Sequence, residues 1–373
     1  MKIKKLLGLL SAAVMLAGCA SEGSSPWEDS STTGTSSAAV TSAAADESET
    51  PSEAESSSAA DSSSEAASSE AADSSSRSDK QTSDITPLMW EVTSENGGRL
   101  VLMGSIHVLK KEAYPLPDSL TGALEAADAL AVECDVIKSA TDYSLELKQV
   151  QNMKYPDGET IDDHISAEVL EGARAYAKEL GTDLSVRKSS KPWVYNSLLE
   201  SLTIQKAGLD SKLGIDRNLL ELAKQTGKEI IEIESSEFQV DLIMSFSDRV
   251  SEAQLSSYRP ENTDALVKDL EDHYTAWCRG DISFFEERYD TDKILASLDE
   301  QDEEVTSEDR EAVYEYIEKM FISRNRNMAD KAEQLLKEGR NVFYVVGEAH
   351  FIGSKGILNL LKEAGYEVKQ LQP

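Results

Sequence analysis

The chain contains four histidines, and two of them end the same short pattern, Gly-x-x-His. The pattern occurs at Gly104–His107 and again at Gly347–His350. Each copy directly follows a run of apolar residues that is typical of a buried strand. Glycine allows a sharp turn, and ligands of open α/β sheets bind beyond the carboxyl ends of the strands. Both histidines are therefore predicted to lie at one edge of a sheet.

Two carboxylates follow other predicted strands in the same way. Glu133 comes directly after 129–132, and Glu234 comes directly after 229–233. Two imidazoles with one or two carboxylates suit a divalent cation such as zinc, manganese, iron or cobalt. Such a cation can activate a bound water, and a nearby carboxylate can act as a general base. The alternative at each position is an ordinary hydrogen-bonded loop histidine or a solvated carboxylate.

The elements that would position these residues follow an α/β pattern. Short apolar runs alternate with helical stretches, which predicts a mixed, largely parallel β-sheet flanked by helices, with a large helical insertion. The predicted strands are 88–92, 100–103, 129–132, 229–233, 342–346 and 366–371. Residues 141 to about 225 and 264–329 are mostly helical by pattern. A last helix, 355–364, is predicted to end at Gly365.

Several other polar and aromatic residues are given structural roles by their surroundings. His164 follows two aspartates and His273 lies in an acidic helical stretch, so both are predicted at the surface. Trp193 and Trp277 lie among apolar residues and are predicted in the core. Glu348, inside the second Gly-x-x-His, is predicted to face water.

The chain carries a strong negative charge. Its 373 residues include 37 Lys and Arg against 69 Asp and Glu, which gives a formal net charge of −32. Nucleic-acid binding is not expected, because neutralising phosphates requires a basic surface. The sequence has no Gly-x-Ser-x-Gly, His-Glu-x-x-His, P-loop or Cys-x-x-Cys pattern. This argues against a serine hydrolase, a classical zincin, an NTPase and a zinc finger.

The amino terminus has the layout of a secretory signal. Lysines precede an apolar run, Leu6–Leu16, which is shorter than the roughly 20 residues that span a bilayer. The run ends in Leu-Ala-Gly-Cys, which resembles the lipobox of bacterial lipoproteins. The resemblance implies a signal peptide over 1–18 and a lipid on Cys19. It also implies an anchor on the extracytoplasmic face of a cell membrane. An ordinary signal peptide is the alternative.

Residues 19–84 are predicted to form a disordered tether between the anchor and one folded domain, 85–373. The tether consists mainly of Ser, Ala, Thr, Glu and Asp. It contains too little apolar surface to offset the entropy cost of ordering. The domain holds Cys134 and Cys278, which are either free thiols or one disulfide.

Short segments across about 90–373 occur in an order that resembles the TraB/PrgY/GumN family, which includes the Tiki metalloproteases. These segments are Leu102–Val108, Tyr114–Pro117, Ala127–Glu133, Lys191–Trp193, Gly214–Asp216, Ile233–Ser235 with Gln239, Trp277 with Gly280–Asp281, Arg324–Asn325, and Val346–Gly353. The resemblance implies a metal-dependent hydrolase core.

The same resemblance implies roles for particular residues. His107, His350 and Glu133 would hold the metal, and Glu133 and Glu234 would take part in catalysis. Arg324 would hold a carboxylate or stabilise an oxyanion. The Tiki branch makes a peptide the expected substrate.

Two other functions stay open. Some TraB-type proteins are linked to the shutdown of peptide pheromone signalling, so the chain could bind a secreted peptide without cleaving it. The erythromycin-esterase group has a distantly similar core, so a small ester is the other possible substrate.

Overall fold

The computed structural model describes residues 84–299 and 305–371. The predicted signal peptide, Cys19 and the predicted tether lie outside these residues. No helix in the described part of the chain is long and apolar enough to cross a membrane.

A six-stranded sheet lies at the centre of the fold, in the strand order β4-β3-β5-β2-β1-β6. The strands are β1 Met89–Thr93, β2 Arg99–Ser105, β3 Ala129–Val132, β4 Glu229–Glu232, β5 Asn341–Gly347 and β6 Val368–Gln370. The four strands from β4 to β2 pair in parallel, whereas β1 is antiparallel to β2 and to β6. The predicted mixed, largely parallel sheet is confirmed.

Helices cover this sheet. They are α1 Asp118–Ala126, α2 Val136–Ser139, α3 Tyr143–Asn152, α4 Ala167–Glu179, α5 Pro192–Lys206, α6 Ile215–Thr226, α7 Ser236–Met244, α8 Asp248–Leu255, α9 Thr263–Arg279, α10 Ile282–Tyr289, α11 Thr291–Asp299, α12 Ser307–Ile317, α13 Ser323–Lys337 and α14 Ile357–Glu363. Single 3₁₀ turns cover Lys111–Ala113, Ile161–Asp163, Leu184–Arg187, Ser211–Leu213, Pro260–Asn262 and Glu348–Phe351. A π-helical turn, Glu318–Ile322, joins α12 to α13. Consecutive residues of β2, β3 and β5 are buried, as expected for strands covered on both faces.

The helical insertion is divided in two by β4. Helices α2 to α6 lie between β3 and β4, and helices α7 to α13 lie between β4 and β5. Some of these helices build a second apolar cluster, in which Tyr176 of α4, Tyr195 and Leu199 of α5, and Leu255 of α8 are fully buried. This cluster fixes the position of α5 in the fold.

The strand order brings the two Gly-x-x-His segments side by side. In the parallel pair of β2 and β5, Gly104 lies opposite Val346 and Ser105 lies opposite Gly347. On the other side of β5, Val132 at the end of β3 lies opposite Val345. The residues that follow β2, β3, β4 and β5 therefore emerge at the same edge of the sheet.

Candidate active site

His107 is fixed by an acidic partner from α6. Its Nδ1 donates to Asp216 Oδ2 at 2.8 Å, and Asp216 lies in the first turn of that helix. The approach depends on Gly214, because a Cβ there would lie 2.4 Å from the backbone oxygen of His107. Burial opposes a charge on His107, but Asp216, with help from Glu133 and Glu348, raises its pKa to about 9. The Asp216 bond leaves Nε2 of His107 available to a ligand.

His350 lies in the 3₁₀ turn that follows β5, and its ring orientation is set by Asn325 of α13. The distance from His350 Nδ1 to Asn325 Oδ1 is 2.6 Å. An amide oxygen only accepts, so Nδ1 carries the proton; Asn325 Nδ2 donates to the backbone oxygen of Lys355, which fixes the amide. Burial, reinforced by Arg324, lowers the pKa of His350 to about 3. The ring is therefore neutral, with a lone pair on Nε2.

Glu133 lies beside His350, acts electrostatically on His107, and has different partners at its two oxygens. Oε2 accepts from Arg324 Nη2 at 2.7 Å and from Gln239 Nε2 at 3.0 Å. Oε1 accepts from the backbone N–H of Gly347 at 2.7 Å and lies 3.8 Å from His350 Nε2. Burial works against ionisation of Glu133, but Arg324 and both imidazoles outweigh it and lower its pKa to about 2. The carboxylate is charged at neutral pH, and Oε1 faces His350.

Arg324 connects Glu133 to Glu234. Its Nε and Nη2 donate to the two oxygens of Glu234 at 2.9 and 2.8 Å, and Gln239 Nε2 donates to Glu234 as well. The guanidinium is buried, and it follows the π-helical turn before α13, a distortion that often occurs at functional sites. Both oxygens of Glu234 are thus engaged, so this residue orients Arg324.

The predictions that His273 lies at the surface and that Glu348 faces water are wrong. Both side chains are buried, and His273 Nε2 donates to Glu348 Oε1 at 2.5 Å while Nδ1 accepts from the Tyr289 hydroxyl at 3.3 Å. The acidic pattern of α9 hid one inward-facing side, which His273 shares with Trp277 four residues later. Trp277 Nε1 donates to the backbone oxygen of Gly104. Helix α9 therefore contacts both Gly-x-x-His segments.

The remaining sequence predictions have mixed outcomes. Trp277 is in the core as predicted, whereas Trp193 is half-buried. His164 is partly exposed and stacks on a tyrosine. Cys134 and Cys278 are not bonded to each other, so the disulfide alternative is wrong.

The two histidines are suitable ligands for a divalent cation, whereas Glu234 is not. Each histidine has Nδ1 bound to a side-chain oxygen, the arrangement usual for metal-binding imidazoles, and His350 Nε2 is buried without a hydrogen-bond partner in the described structure. Glu133 Oε1 is a suitable third oxygen, although no three His, Cys, Asp or Glu side chains of the described residues are already arranged around a metal position. Glu234 does not fit as a ligand, because Arg324 takes both of its oxygens.

A polar cavity of about 320 Å³ adjoins the site on the β4 side. Glu234 lines it together with Lys138, Lys148 and Ser235, among other residues of α2, α3 and the start of α7. Because Arg324 binds both oxygens of Glu234, the cavity borders the site at the Glu133–Glu234 pair.

The structure brings together all five residues that the sequence nominated: His107, Glu133, Glu234, Arg324 and His350. The sequence analysis did not predict the residues that orient them, which are Asp216, Gln239 and Asn325. All three belong to the segments that carry the family resemblance. Their charged or amide side chains near the starts of helices could have indicated this role.

Comparison with known proteins gives one family and several distant relatives. The sequence profile of the TraB/PrgY/gumN family matches residues 88–370. The "Uncharacterized protein YbaP" of Escherichia coli is 32% identical over 159 residues, which cover 43% of this chain and 57% of that protein. The "Metalloprotease TIKI homolog" of Amphimedon queenslandica is 24% identical over 328 residues, 76% of this chain and 61% of that protein. The "Metalloprotease TIKI2" of Danio rerio is 28% identical over 113 residues, 29% of this chain and 21% of that protein.

The chain thus spans less than two thirds of the length of each of these relatives. No solved structure matches the chain.

Proposed function

The chain belongs to the TraB/PrgY/gumN family, and we propose that it is a metal-dependent peptidase, held by a lipid on the extracytoplasmic face of a cell membrane. One observation carries the hydrolase part of the proposal. His107 and His350, which lie more than two hundred positions apart, meet at one sheet edge beside Glu133, and each has its Nδ1 held by a side-chain oxygen. Similarity to proteins named metalloproteases supports the reaction class.

The metal would be held by Nε2 of His107 and Nε2 of His350, with Glu133 Oε1 as the carboxylate ligand. Zinc, manganese, iron and cobalt all suit this donor set. When bound, such a cation supplies an activated water and polarises the substrate carbonyl.

The chain's own side chains hold and move charge around that position. Glu133 is ionised at neutral pH, so its Oε1 can bind the cation as a charged ligand. Arg324 fixes the other oxygen of Glu133 and balances the charges of Glu133 and Glu234. Asp216 and Asn325 bind the Nδ1 atoms of the two imidazoles, so each Nε2 points away from the residue that binds its ring.

Elemental analysis and a peptide-library digest of the purified full-length protein test the hydrolase proposal. His107→Ala and His350→Ala are each expected to lose bound metal and peptide cleavage. His164→Ala is the matched control, because this histidine is partly exposed and binds Glu159 and Asp248 instead. Unchanged metal content and unchanged cleavage in both site variants would refute the proposal.

The same experiment separates the rival functions. Peptide that is retained without cleaved products would support a sequestering lipoprotein. Turnover of small esters with no turnover of peptides would support an esterase.

A further inference from the structure

One side of α5 carries two buried polar atoms without a hydrogen-bond partner and one buried carboxyl group. Trp193 Nε1 and Asn196 Oδ1 have no hydrogen-bond partner among the described residues. Glu200 is 5% exposed and has no hydrogen bond or ion pair within 84–299 and 305–371. The spacing of i, i+3 and i+7 places all three on one side of the helix.

The orientation of the Asn196 amide is fixed by two acceptors on α8. Its Nδ2 lies 3.4 Å from the backbone oxygen of Ser251 and 3.2 Å from Gln254 Oε1, both of which are acceptors. Oδ1 is therefore an acceptor that points elsewhere, one turn before Glu200. Two acceptors thus lie one turn apart on the same side of α5, and no hydrogen bond to Asn196 Oδ1 or to the Glu200 carboxyl group occurs among the described residues.

An unpaired carboxyl group is an expensive side chain to bury, because its charged form loses hydration without gaining a partner. Burial raises the pKa of Glu200 to about 8, and only His107 acts in the opposite direction. Elsewhere in the fold, buried carboxylates are paired: Glu133 and Glu234 bind Arg324, and Glu348 binds His273. Glu200 differs from these three, because no cationic or imidazole side chain of the described residues binds its carboxyl group; its electrostatic neighbours are His107 and the Tyr316 phenol.

Glu200 is linked to the candidate site through His107, the more exposed of its two histidines. It interacts electrostatically with His107, whose side chain is 19% exposed, whereas the side chain of His350 is 1% exposed. A substrate that reaches the two imidazoles would thus arrive from the side of His107. Glu200 is the carboxyl group that acts on His107 from α5, and Asn196 lies one turn before it on the same helix.

We propose that Glu200 determines substrate specificity by binding a cationic group of the substrate, with Asn196 Oδ1 as a second acceptor. The inference rests on the proposed peptidase function and adds a substrate class, peptides with a positive charge near the cleaved bond. An ammonium or guanidinium group supplies the donors and the charge that this side of α5 lacks. The net charge of −32 would also attract such peptides over longer distances.

The positive charge can come from the free amino terminus of the peptide or from a Lys or Arg side chain. Three synthetic peptides of otherwise identical sequence distinguish these sources. The first has a free amino terminus and no basic side chain, the second is N-acetylated, and the third is N-acetylated with one Lys beside the cleaved bond. The neutral, acetylated peptide is the reference for the other two.

The test compares kcat/KM for these peptides between the metal-loaded full-length protein and its Glu200→Gln variant. The wild type is expected to prefer one cationic peptide over the neutral peptide by about ten- to a hundredfold, the range of one charged hydrogen bond. Glu200→Gln is expected to abolish that ratio, mainly through KM. Glu171→Gln, an exposed carboxylate on α4, is the control and should keep the ratio. A ratio near one in the wild type, or an unchanged ratio in Glu200→Gln, would overturn the inference.

Two further measurements keep the inference separate from the proposed function and from misfolding. Calorimetric Kd values for the same peptides report cation binding even if the wild type cleaves nothing, so the two proposals can fail independently. Thermal unfolding of Glu200→Gln and Glu200→Met checks the fold. Because the carboxyl group is unpaired, Tm is expected to stay equal or rise, and a large decrease in both variants would indicate a structural role and contradict the proposal.

Discussion

The two histidines of the site differ in charge although they follow the same sequence pattern. The His107 imidazole has a carboxylate partner that raises its pKa to about 9, whereas His350 has an amide partner and a nearby guanidinium, and its pKa falls to about 3. The Gly-x-x-His pattern specifies where each ring emerges. The residue that each ring meets, Asp216 or Asn325, specifies its protonation.

This difference predicts a pH-dependent stability of the metal-free protein. The folded-state pKa of His107 lies above its usual value near 6.5. The stabilisation from its ion pair is therefore complete below about pH 6.5 and is lost as the pH rises towards 9, with an upper limit on the order of 3 kcal/mol. Asp216→Asn should remove most of this slope.

Urea unfolding of chelator-treated protein from pH 6 to pH 10 measures the effect. Asp157→Asn, a change in an exposed turn, is the control and should keep the wild-type slope. A wild-type free energy of unfolding that does not fall between pH 6.5 and 9 would contradict the assigned ion pair.

Sequence reasoning located the acids and bases of the site but not their pairing. His107, His350 and Glu133 could be predicted from the sequence because each follows an apolar strand, and the ends of parallel strands share one edge of the sheet. The contact between Glu348 and His273 could not be predicted, because a polar side chain in an acidic helix is usually solvated. Only tertiary packing buries it. Glu200 gave no local signal, since its isolation is visible only when every neighbouring side chain is known.

At the scale of elements, helix α6 must approach the turn after β2 very closely. A Cβ at Gly214 would lie 2.4 Å from the backbone oxygen of His107, and neither backbone can move without shifting the imidazole. Gly214→Ala is therefore expected to reduce metal binding and activity by tenfold or more, about the effect of displacing a supporting residue.

The control for this prediction is Gly122→Ala in α1, where a Cβ meets no atom within 4 Å. Alanine in a helix interior is favoured over glycine by up to about 1 kcal/mol, so this variant should be slightly more stable and equally active. Metal titration and thermal unfolding of both variants measure the outcome. Normal metal affinity in Gly214→Ala would show that the turn tolerates the displacement.

Helix α9 supports both Gly-x-x-His segments through His273 and Trp277. His273→Phe leaves the carboxylate of Glu348 buried without its donor, which should destabilise the protein by about 3–5 kcal/mol. The double variant His273→Phe with Glu348→Leu removes the charge as well, so much of that loss should be recovered.

Denaturant unfolding of the single and double variants forms a mutant cycle for this pair. Lys268→Ala on the same helix breaks an exposed ion pair with Asp272 and should change stability very little. If the double variant were no more stable than His273→Phe alone, the buried pair would not be the main stabilising contact.

The separate elements were easier to predict than their arrangement. Strand β3 has the predicted bounds, Ala129–Val132, because four apolar residues between polar neighbours leave little freedom. The last strand was predicted over 366–371 but covers only Val368–Gln370, since it is an edge strand with a single neighbour. The adjacency of β2 and β5 depends on contacts between residues more than two hundred positions apart, which local patterns do not encode.

At the scale of the whole molecule, the candidate site and the predicted membrane anchor rest on different parts of the chain. The site lies among the described residues, whereas the anchor is predicted from the lipobox-like sequence that ends at Cys19. A lipid at that position would keep the proposed peptidase at the membrane surface and restrict it to substrates on the extracytoplasmic side. Stable anchoring requires at least two lipid chains, which the lipoprotein modification implied by the resemblance provides.

Labelling of cells with a radioactive fatty acid, followed by membrane fractionation, tests this anchor. The wild-type protein is expected to incorporate label and to sediment with membranes, while Cys19→Ala should do neither. Cys278→Ala, which removes a partly buried free thiol of the domain, should keep both properties because its cysteine is not the acylated residue. An unlabelled wild type in the soluble fraction would exclude the lipid anchor, and the proposed hydrolase site would be unaffected because the contacts that define it lie among the described residues.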